Sequence, residues 1–289
     1  MRTKRLRVEI PTFVKWAGGK KQLINQFKPY FPREINRYFD PFVGGGAVAF
    51  YIIKNYEPKE VYLSDVNEEL INTYKIIQNK NTLDDLIAEL KEHKKNHNEE
   101  YYYKIRKIMP EDLSDVKRAA RLIYLNKTCF NGLYRVNSKG GFNVPIGSSK
   151  NPLICPEIDL RNISSLIQNA VIEVKPFYEI EKDVKQDDFV YFDPPYHPLK
   201  KESFTTYTKE QFLEEAQEKL AEIFKALHKK GVNVMLSNSD TPFIMDLYKE
   251  YKETTYVVKA NRMINCDATK RGKINEIVVT TYDPHKWLY

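Results

Sequence analysis

The sequence has little cysteine: three residues in 289, namely Cys129, Cys155 and Cys266. Thiols this few and this scattered exclude a disulfide framework and a cysteine-built zinc site, and they fit a reducing compartment. Long apolar runs are lacking as well, because the longest covers residues 47–53, whereas a membrane-spanning helix needs about 20 residues. The basic opening MRTKRLRVEIP has no apolar stretch of a secretory signal. These absences predict a cytoplasmic protein.

Acidic side chains are fewer than basic ones, 39 against 46, which gives a net charge of +7. Residues 117–150 contain no acid, and they carry seven basic side chains: Lys117, Arg118, Arg121, Lys127, Arg135, Lys139 and Lys150. A surplus concentrated in one segment fits a nucleic-acid partner, although a solvated surface is the simpler interpretation when the segment is taken alone. The composition, 42% hydrophobic and 29% charged, is that of an ordered globular protein.

Strand and helix patterns alternate at both ends of the chain. A lysine–glycine turn leads into a predicted helix at about Lys20, and then RYFDPF, VGGGAVAFYIIKN and VYLSD indicate strand, glycine-opened helix and strand. Further strands are predicted at VIEVKP, DFVYFDPPY and VNVMLSNSD, with a helix in EQFLEEAQEKLAEIFKALHKKG and an antiparallel edge at YVVKAN and EIVVTTYD. This pattern predicts an α/β fold with a doubly wound sheet.

The alternation is interrupted in the middle of the chain. Residues 68–125 are charged and have the 3.6-residue period of amphipathic helices. The following segment NGLYRVNSKGGFNVPIG is typical of a β-hairpin around NSKGG. We therefore expect one sheet domain, residues 1–67 and 156–289, into which residues 68–155 are inserted.

Three glycines, Gly44 to Gly46, stand between a predicted strand and helix, and Asp65 follows Gly46 by 19 residues at the end of the next strand. A glycine turn lets a ligand approach the backbone, and an acid about 20 residues later can bind ribose hydroxyls. The arrangement fits an adenosine-containing cofactor such as NAD or S-adenosylmethionine, or a purely structural turn. The spacing alone does not choose between them.

The segment DDFVYFDPPYHPL places an acid, two prolines and a tyrosine directly after an apolar run. Because prolines remove backbone donors, the strand ends at Asp193, and Asp193 and Tyr196 lie at its carboxyl tip. Ligands of open α/β sheets bind at this edge. A tight loop whose acid caps the next element is the plain alternative.

Such a tip suits methylation of an exocyclic amine, whose lone pair is delocalised into the ring of the base. Asp193 and the carbonyl of Pro194 could accept both amine hydrogens and hold the lone pair toward a methyl donor. Positive charge develops on the nitrogen, so the carboxylate stabilises the transition state more than the ground state. Tyr196 would offer its face to a base flipped out of a duplex. No covalent enzyme intermediate is needed.

Four ordered motifs, FVKWAGGKKQL, FDPFVGGGAVAF, LSD and FDPPY, resemble those of the Dam-type DNA adenine N6-methyltransferases, the alpha class or D12 family. The similarity extends through FNGLYRVNSKGGFNVPIG, FTTYT, MLSN and RGKINEIVVTTY, so it covers almost the whole chain. It implies a Rossmann-like methyltransferase sheet with a target-recognition insert. The chain looks most similar to members that modify GATC.

By matching position, the resemblance implies that Trp16, Lys20, Asp65 and Asp193 contact S-adenosylmethionine. Asp65 suits the ribose, and Trp16 could pack beside the sulfonium. Taken alone, Trp16 is more simply a core aromatic residue and Lys20 a solvated lysine. Lys15 matches a position that touches the recognition site in the family.

In the predicted hairpin, Phe130, Asn131, Leu133 and Arg135 match residues that wedge into DNA and read bases. Arg135 is the natural donor to a guanine edge, since a bidentate arginine–guanine pair discriminates by roughly 1–3 kcal/mol. The family often carries an Arg-Tyr pair just after this segment, where this chain has Ser148 and Ser149. Two serines have less reach and cannot stack on a base, which predicts looser reading of the outermost base.

Other functions weigh less. Amine methylation of cytosine, or of adenine in RNA, shares the strand-tip chemistry, and a DNA-binding module without catalysis would not need Asp193. A dehydrogenase leaves FDPPY and the basic segment unexplained.

His93 and His97 have the spacing of a zinc pair, but no third ligand accompanies them, so no metal is expected. The expected partner is double-stranded DNA, and a monomer suffices. The enzyme could protect this DNA against a cognate restriction nuclease that it does not contact, or it could act alone, and the sequence does not choose between the two.

Overall fold

The computed structural model describes residues 10–197, 214–261 and 273–287. The FTTYT motif, Cys266 and the first two residues of RGKINEIVVTTY lie outside these ranges. No helix within them is long and apolar enough to cross a membrane.

The described strands form one seven-stranded sheet in the order β3-β2-β1-β4-β5-β7-β6. They are β1 (Arg37–Asp40), β2 (Glu60–Asp65), β3 (Val171–Val174), β4 (Phe189–Phe192), β5 (Asn233–Ser239), β6 (Thr255–Asn261) and β7 (Lys273–Thr280). β1 to β5 are all parallel to one another, and β7 runs antiparallel to both of its neighbours, β5 and β6. The order reverses between β1 and β4, which is where ligands bind in doubly wound sheets. The predicted α/β class and the antiparallel edge are confirmed.

Nine α-helices lie in the described residues: α1 (Ile24–Phe27), α2 (Ala47–Tyr56), α3 (Glu68–Gln78), α4 (Lys80–Asn96), α5 (Glu99–Lys107), α6 (Asp115–Thr128), α7 (Glu157–Leu166), α8 (Glu214–Lys229) and α9 (Pro242–Leu247). The glycine-opened helix and the helical stretch after residue 68 are as predicted. The helix expected from Lys20 is instead split into 3₁₀ turns around the short α1. Pro29 has no N–H with which to continue an α-helical ladder.

The chain forms two compact units. The first comprises residues 1–21, 45–54 and 72–168, and the second comprises residues 22–44, 55–71 and 169–289. The whole sheet belongs to the second unit, whereas α4 packs against α6 and α7 in the first. These ranges describe compactness. The functional division into a catalytic domain, 1–67 with 156–289, and a recognition insert, 68–155, stays a prediction.

The core of the second unit lies between the sheet and α8. All four residues of β4 are buried, and Val190 and Phe192 belong to the same apolar cluster as Leu220 and Phe224 of α8. A strand buried on both faces reads as a continuous apolar run, which explains why FVYF was recognisable from the sequence. The buried strand gives the residues that follow it a rigid starting point.

The predicted β-hairpin is present only as a loosely paired hairpin loop, residues 129–146, in the first unit. Two isolated antiparallel bridges, Cys129 with Ile146 and Val136 with Phe142, take the place of a continuous ladder. At its tip the Asn137 N–H donates to the Gly141 carbonyl over 2.8 Å. Regular pairing is interrupted because residues 130–132 form a 3₁₀ turn, in which Asn131 and Gly132 both have positive φ.

Candidate functional site

The acid at the tip of β4 is held by a hydroxyl from the neighbouring strand. Ser237 Oγ of β5 donates to Asp193 Oδ1 over 2.9 Å, and the buried Tyr191 hydroxyl lies 2.8 Å from the same Oγ. Because a serine hydroxyl has one hydrogen and gives it to Asp193, Tyr191 donates to Ser237. Two hydrogen bonds in series therefore orient the carboxylate.

Tyr196, three residues after Asp193, is fixed by a second carboxylate. Its hydroxyl donates to Glu276 Oε2 of β7 over 2.9 Å, and Glu276 is buried. Burial raises the pKa of Tyr196 well above its ordinary value, and the charges of Asp193 and Glu276 raise it further. Tyr196 is therefore a neutral donor near neutral pH.

The backbone of the same loop is held as firmly as its side chains. Gln217 Nε2 of α8 donates to the Pro195 carbonyl over 2.9 Å, and its own oxygen accepts from Asn238 Nδ2 over 3.0 Å. Ser239 Oγ donates to the His197 carbonyl over 2.9 Å. The segment 193–197 has no regular secondary structure, yet α8, β5 and β7 each fix part of it.

Asp65, at the tip of β2, accepts backbone hydrogen bonds from Gly44 N–H at 3.2 Å to Oδ2 and from Asn67 N–H at 3.0 Å to Oδ1, and a further one from Val66. Burial raises the pKa of Asp65, and these hydrogen bonds oppose the rise. A carboxylate has about four lone-pair directions, so three backbone donors still leave capacity for a further donor. This donor set fits the paired hydroxyls of a ribose.

Asp40, at the tip of β1, is a further carboxyl group at this edge of the sheet, and it is not among the site residues predicted from the sequence. It is 2% exposed and accepts from the Tyr38 hydroxyl over 2.9 Å. Burial raises the pKa of Asp40 to about 8, and the charges of Asp193 and Asp65 add to the rise. Asp40 is therefore largely protonated at neutral pH, unlike an ordinary surface aspartate.

In the first unit, Trp16 stacks on Tyr134, with ring centroids 5.4 Å apart and an interplanar angle of 30°. Its other neighbour is the glycine turn, where a Cβ on Gly45 would lie 3.1 Å from the Trp16 Cβ. Lys20 is buried and donates its Nζ to the Gly18 carbonyl. Trp16 is thus part of a packed aromatic contact, and Lys20 is not the solvated lysine that its position alone would suggest.

Asn126 of α6 joins the segment around Lys15 to the turn at Gly132. Its Oδ1 accepts from the Lys15 N–H over 2.7 Å, while its Nδ2 donates to the carbonyls of Lys15 and Gly132 over 2.8 and 2.9 Å. A Cβ on Gly132 would lie 2.5 Å from the Lys15 side chain. Lys15 is therefore brought next to the predicted DNA-reading residues.

The predicted DNA-reading residues lie on the outside of the hairpin loop. Asn131 and Arg135 are exposed, Phe130 is 44% exposed, and Leu133 is half-buried. Arg135 Nε donates to Asn143 Oδ1 over 2.6 Å, so the guanidinium is already oriented by the opposite arm. An exposed aromatic ring and an oriented arginine within the same short segment fit a nucleic-acid contact. Ser148 and Ser149 are exposed as well.

Four side chains of the site were missed by sequence reasoning: Asp40, Gln217, Ser237 and Glu276. All four are buried polar residues, and a polar residue at a position where the pattern of a strand or helix expects an apolar one is the signal that could have found them. His93 and His97, in contrast, hydrogen bond to Tyr101 and Tyr124. Among the described residues, no group of three or more histidine, cysteine or acidic side chains could hold a metal ion.

Comparison with known proteins adds a family and several relatives. The family model of the D12 class N6 adenine-specific DNA methyltransferases matches residues 16–264. The chain is 44% identical over 293 aligned positions to the type II methyltransferase M.MjaIII of Methanocaldococcus jannaschii, covering 95% of this chain and 100% of that protein.

Two further relatives are bacterial. The type II methyltransferase M1.LlaDCHI of Lactococcus lactis is 41% identical, covering 96% of this chain and 97% of that protein. A DNA adenine methylase of Haemophilus influenzae is 35% identical, covering 92% of each. The similarity to all three extends over nearly the full length of the chain.

Proposed function

Because this chain belongs to the D12 class of N6 adenine-specific DNA methyltransferases, we propose that it methylates the exocyclic amine of a flipped adenine in double-stranded DNA, within GATC. The methyl group is transferred in line, from S-adenosylmethionine to nitrogen, without a covalent enzyme intermediate. The observation that carries this proposal is the hydrogen bond from Ser237 to Asp193, which orients a carboxylate at the strand tip.

The proposed cofactor-binding residues are Trp16, Lys20, Asp65 and Asp193. When bound, S-adenosylmethionine supplies a methyl group activated by its sulfonium. Asp65 binds the ribose hydroxyls, for which its remaining acceptor capacity and its fixed orientation on Gly44 are suited. Trp16 offers an aromatic face to a cation, and the Tyr134 ring stacked on it keeps it in place.

The proposed catalytic group consists of Asp193, Pro194 and Tyr196. Asp193 and the Pro194 carbonyl accept the two amine hydrogens, which turns the nitrogen lone pair out of conjugation and toward the methyl group. Since the nitrogen becomes positively charged during transfer, a pre-oriented carboxylate lowers the barrier more than it strengthens substrate binding. Tyr196 stacks on the flipped base, which otherwise loses its stacking partners in the duplex.

The proposed DNA-binding residues are Lys15, Phe130, Asn131, Leu133 and Arg135. Arg135 donates to a guanine edge, and Phe130 and Leu133 support the stack that the flipped base leaves. The hydrogen bonds of Asn126 to Lys15 and Gly132 hold these contacts in one arrangement. Ser148 and Ser149 cannot stack on a base, so we expect looser reading of the outermost base pair than of the inner ones.

The proposed setting follows from the substrate. The protein works in the cytoplasm on bacterial or phage-type DNA, as a monomer that methylates one strand at a time. A cognate restriction nuclease, where one exists, recognises the same site without contacting the methyltransferase. The relatives described as type II methyltransferases support this restriction–modification role.

The test is to incubate the purified protein with labelled S-adenosylmethionine and four substrates of equal length. These are a GATC duplex, a duplex with GATC scrambled, a single-stranded RNA, and a duplex whose target adenine is replaced by cytosine. We expect label in the GATC duplex at N6 of adenine. Equal labelling of the scrambled duplex would contradict the proposed site, and labelling of RNA alone would contradict the substrate.

A further inference from the structure

Glu276 is a buried acid in the middle of a sheet. It lies on β7, opposite Ser239 of β5 and Val258 of β6, and the next four residues, 277–280, are buried. The residue is 8% exposed, and its carboxylate accepts the hydroxyl hydrogen of Tyr196, which is 80 residues earlier in the chain. A long-range contact thus joins the antiparallel edge of the sheet to the strand-tip loop.

Packing does not account for an acid at this position. Withdrawing a carboxylate from water is unfavourable unless hydrogen bonds compensate, and an apolar residue of similar volume often stabilises a buried site as well or better. The two residues that follow it, Ile277 and Val278, show what the core of this strand accommodates. The hydrogen bond to Tyr196 therefore explains why a carboxylate occupies this position.

The Glu276 carboxylate fixes the hydroxyl end of the Tyr196 ring. A tyrosine hydroxyl lies on the axis about which χ2 turns, so a hydrogen bond to it fixes χ1 and leaves only rotation about the ring's own axis. Tyr196 belongs to a loop without regular secondary structure, where a ring anchored only at its Cβ could swing about χ1. Sites of chemistry tolerate deviations of only about 10–20°.

We propose that Glu276 is a positioning residue for methyl transfer, which acts by holding the Tyr196 ring where it stacks on the target adenine. This inference rests on the proposed function, because it assumes that Tyr196 stacks on a flipped base. Glu276 itself touches neither the base nor the methyl donor. It works alongside Ser237, which orients Asp193, and Gln217, which holds the Pro195 carbonyl.

The test is a double-mutant cycle between Tyr196→Phe and Glu276→Ala, with kcat and KM measured on a GATC duplex. Both changes remove the hydrogen bond between Tyr196 and Glu276, from opposite ends, and Tyr196→Phe also removes the contact of the hydroxyl with Ser237. We expect each single variant to lower kcat by about tenfold, as loss of one charge-assisted hydrogen bond implies, and the double variant to be no slower than the worse single one. Glu276→Gln keeps an acceptor oxygen and should recover most of the rate.

A second readout reports the base itself. With 2-aminopurine at the target position, its fluorescence rises when the base leaves the stack and falls when an aromatic ring covers it. We expect Glu276→Ala and Tyr196→Phe to leave the flipped base less covered, and therefore brighter, than the unmodified protein does. A purely structural role for Glu276 would lower Tm and leave this signal unchanged.

The matched control is Asn275→Ala, on the same strand one residue earlier. Asn275 is exposed and donates to Asp240 over 3.0 Å, away from Tyr196, so kcat should stay unchanged. The proposal is overturned if the effects of Tyr196→Phe and Glu276→Ala multiply to about a hundredfold, or if Tyr196→Phe alone has full kcat. The second criterion holds even where Glu276→Ala fails to fold.

The two proposals fail in different ways. If the unmodified protein methylates no adenine in any duplex, the proposed function is wrong and the role of Glu276 in it falls too. If the unmodified protein methylates GATC but the cycle is multiplicative, only the positioning role is wrong.

Discussion

Ser237 Oγ donates to Asp193 Oδ1 over 2.9 Å, across the boundary between two neighbouring parallel strands. The two residues are 44 positions apart in the sequence, so neither motif indicates the other. The contact turns an acid at the end of a strand into an acid with one orientation. Orientation matters here because the proposed chemistry needs a lone pair directed along one line.

Removing that donor should slow methyl transfer. Ser237→Ala removes the hydrogen bond to Asp193 and takes away the acceptor of the buried Tyr191 hydroxyl, so we expect kcat to fall by about tenfold, on the scale of one charge-assisted hydrogen bond. Tyr191→Phe removes only the outer of the two hydrogen bonds and should have a smaller effect. Steady-state kinetics on a GATC duplex measures both.

Ser165→Ala is the matched control, because its exposed hydroxyl donates to the Arg161 carbonyl on α7. Its kcat should equal that of the unmodified protein. An unchanged kcat in Ser237→Ala would show that the carboxylate needs no support from β5.

Arg135→Ala should weaken discrimination at one base pair. A bidentate arginine–guanine contact contributes roughly 1–3 kcal/mol of selectivity. In the variant, kcat/KM for GATC should therefore exceed kcat/KM for sites altered at the contacted guanine by no more than about tenfold. Measuring kcat/KM on the cognate duplex and on its single-base variants identifies the contacted position.

Arg118→Ala provides the comparison for charge. Arg118 belongs to the same basic segment but forms an ion pair with Asp115. Loss of this charge should lower kcat/KM for all duplexes equally, because a basic side chain contributes to salt-dependent binding that does not depend on base sequence. Parallel losses in Arg135→Ala across every duplex would contradict base reading by Arg135.

The stability of the protein should depend on the protonation of Asp40. Burial raises its pKa from 3.8 to about 8, so the neutral acid favours the folded state. The stability that the raised pKa contributes is complete below about pH 4 and is lost as pH rises toward 8, because the folded state then holds a proton that the unfolded state has released.

Asp40→Asn cannot ionise, so its Tm should improve relative to the unmodified protein between about pH 4 and pH 8 and stay level above that. Thermal unfolding followed by circular dichroism at several pH values gives the difference. Asp246→Asn, at an exposed acid that pairs with Lys249, is the matched control. A difference in Tm that does not vary with pH would mean that Asp40 is ionised throughout.

Local patterns predicted much of the fold and the chemical half of the site. β1, β2 and β4 followed from apolar runs ended by turn residues, and Asp65, Asp193 and Tyr196 followed from the places where such runs stop. The helix predicted from Lys20 is present only as the short α1 between 3₁₀ turns, and Pro29 cannot continue an α-helical ladder. The hairpin ladder was overestimated, because two residues with positive φ interrupt it.

The supporting half of the site could not be predicted in the same way. Ser237 and Glu276 reach the loop from strands that are 44 and 80 residues away from their partners, and such pairings depend on strand order and register. In RGKINEIVVTTY, Glu276 stands directly before the apolar run of β7, and only the structure shows that it is buried. Its partner became apparent only when β7 was placed beside β5.

The central claim is that the Asp193 carboxylate activates the amine of the target adenine. The most direct measurement is single-turnover methylation of a GATC duplex by Asp193→Ala, with labelled S-adenosylmethionine and enzyme in excess over DNA, together with circular dichroism to establish the fold. The account predicts a native spectrum and methyl transfer slowed by at least about a thousandfold, the scale on which loss of a preorganised charge contact at a reacting centre is felt. Transfer within a few-fold of the unmodified rate would contradict it.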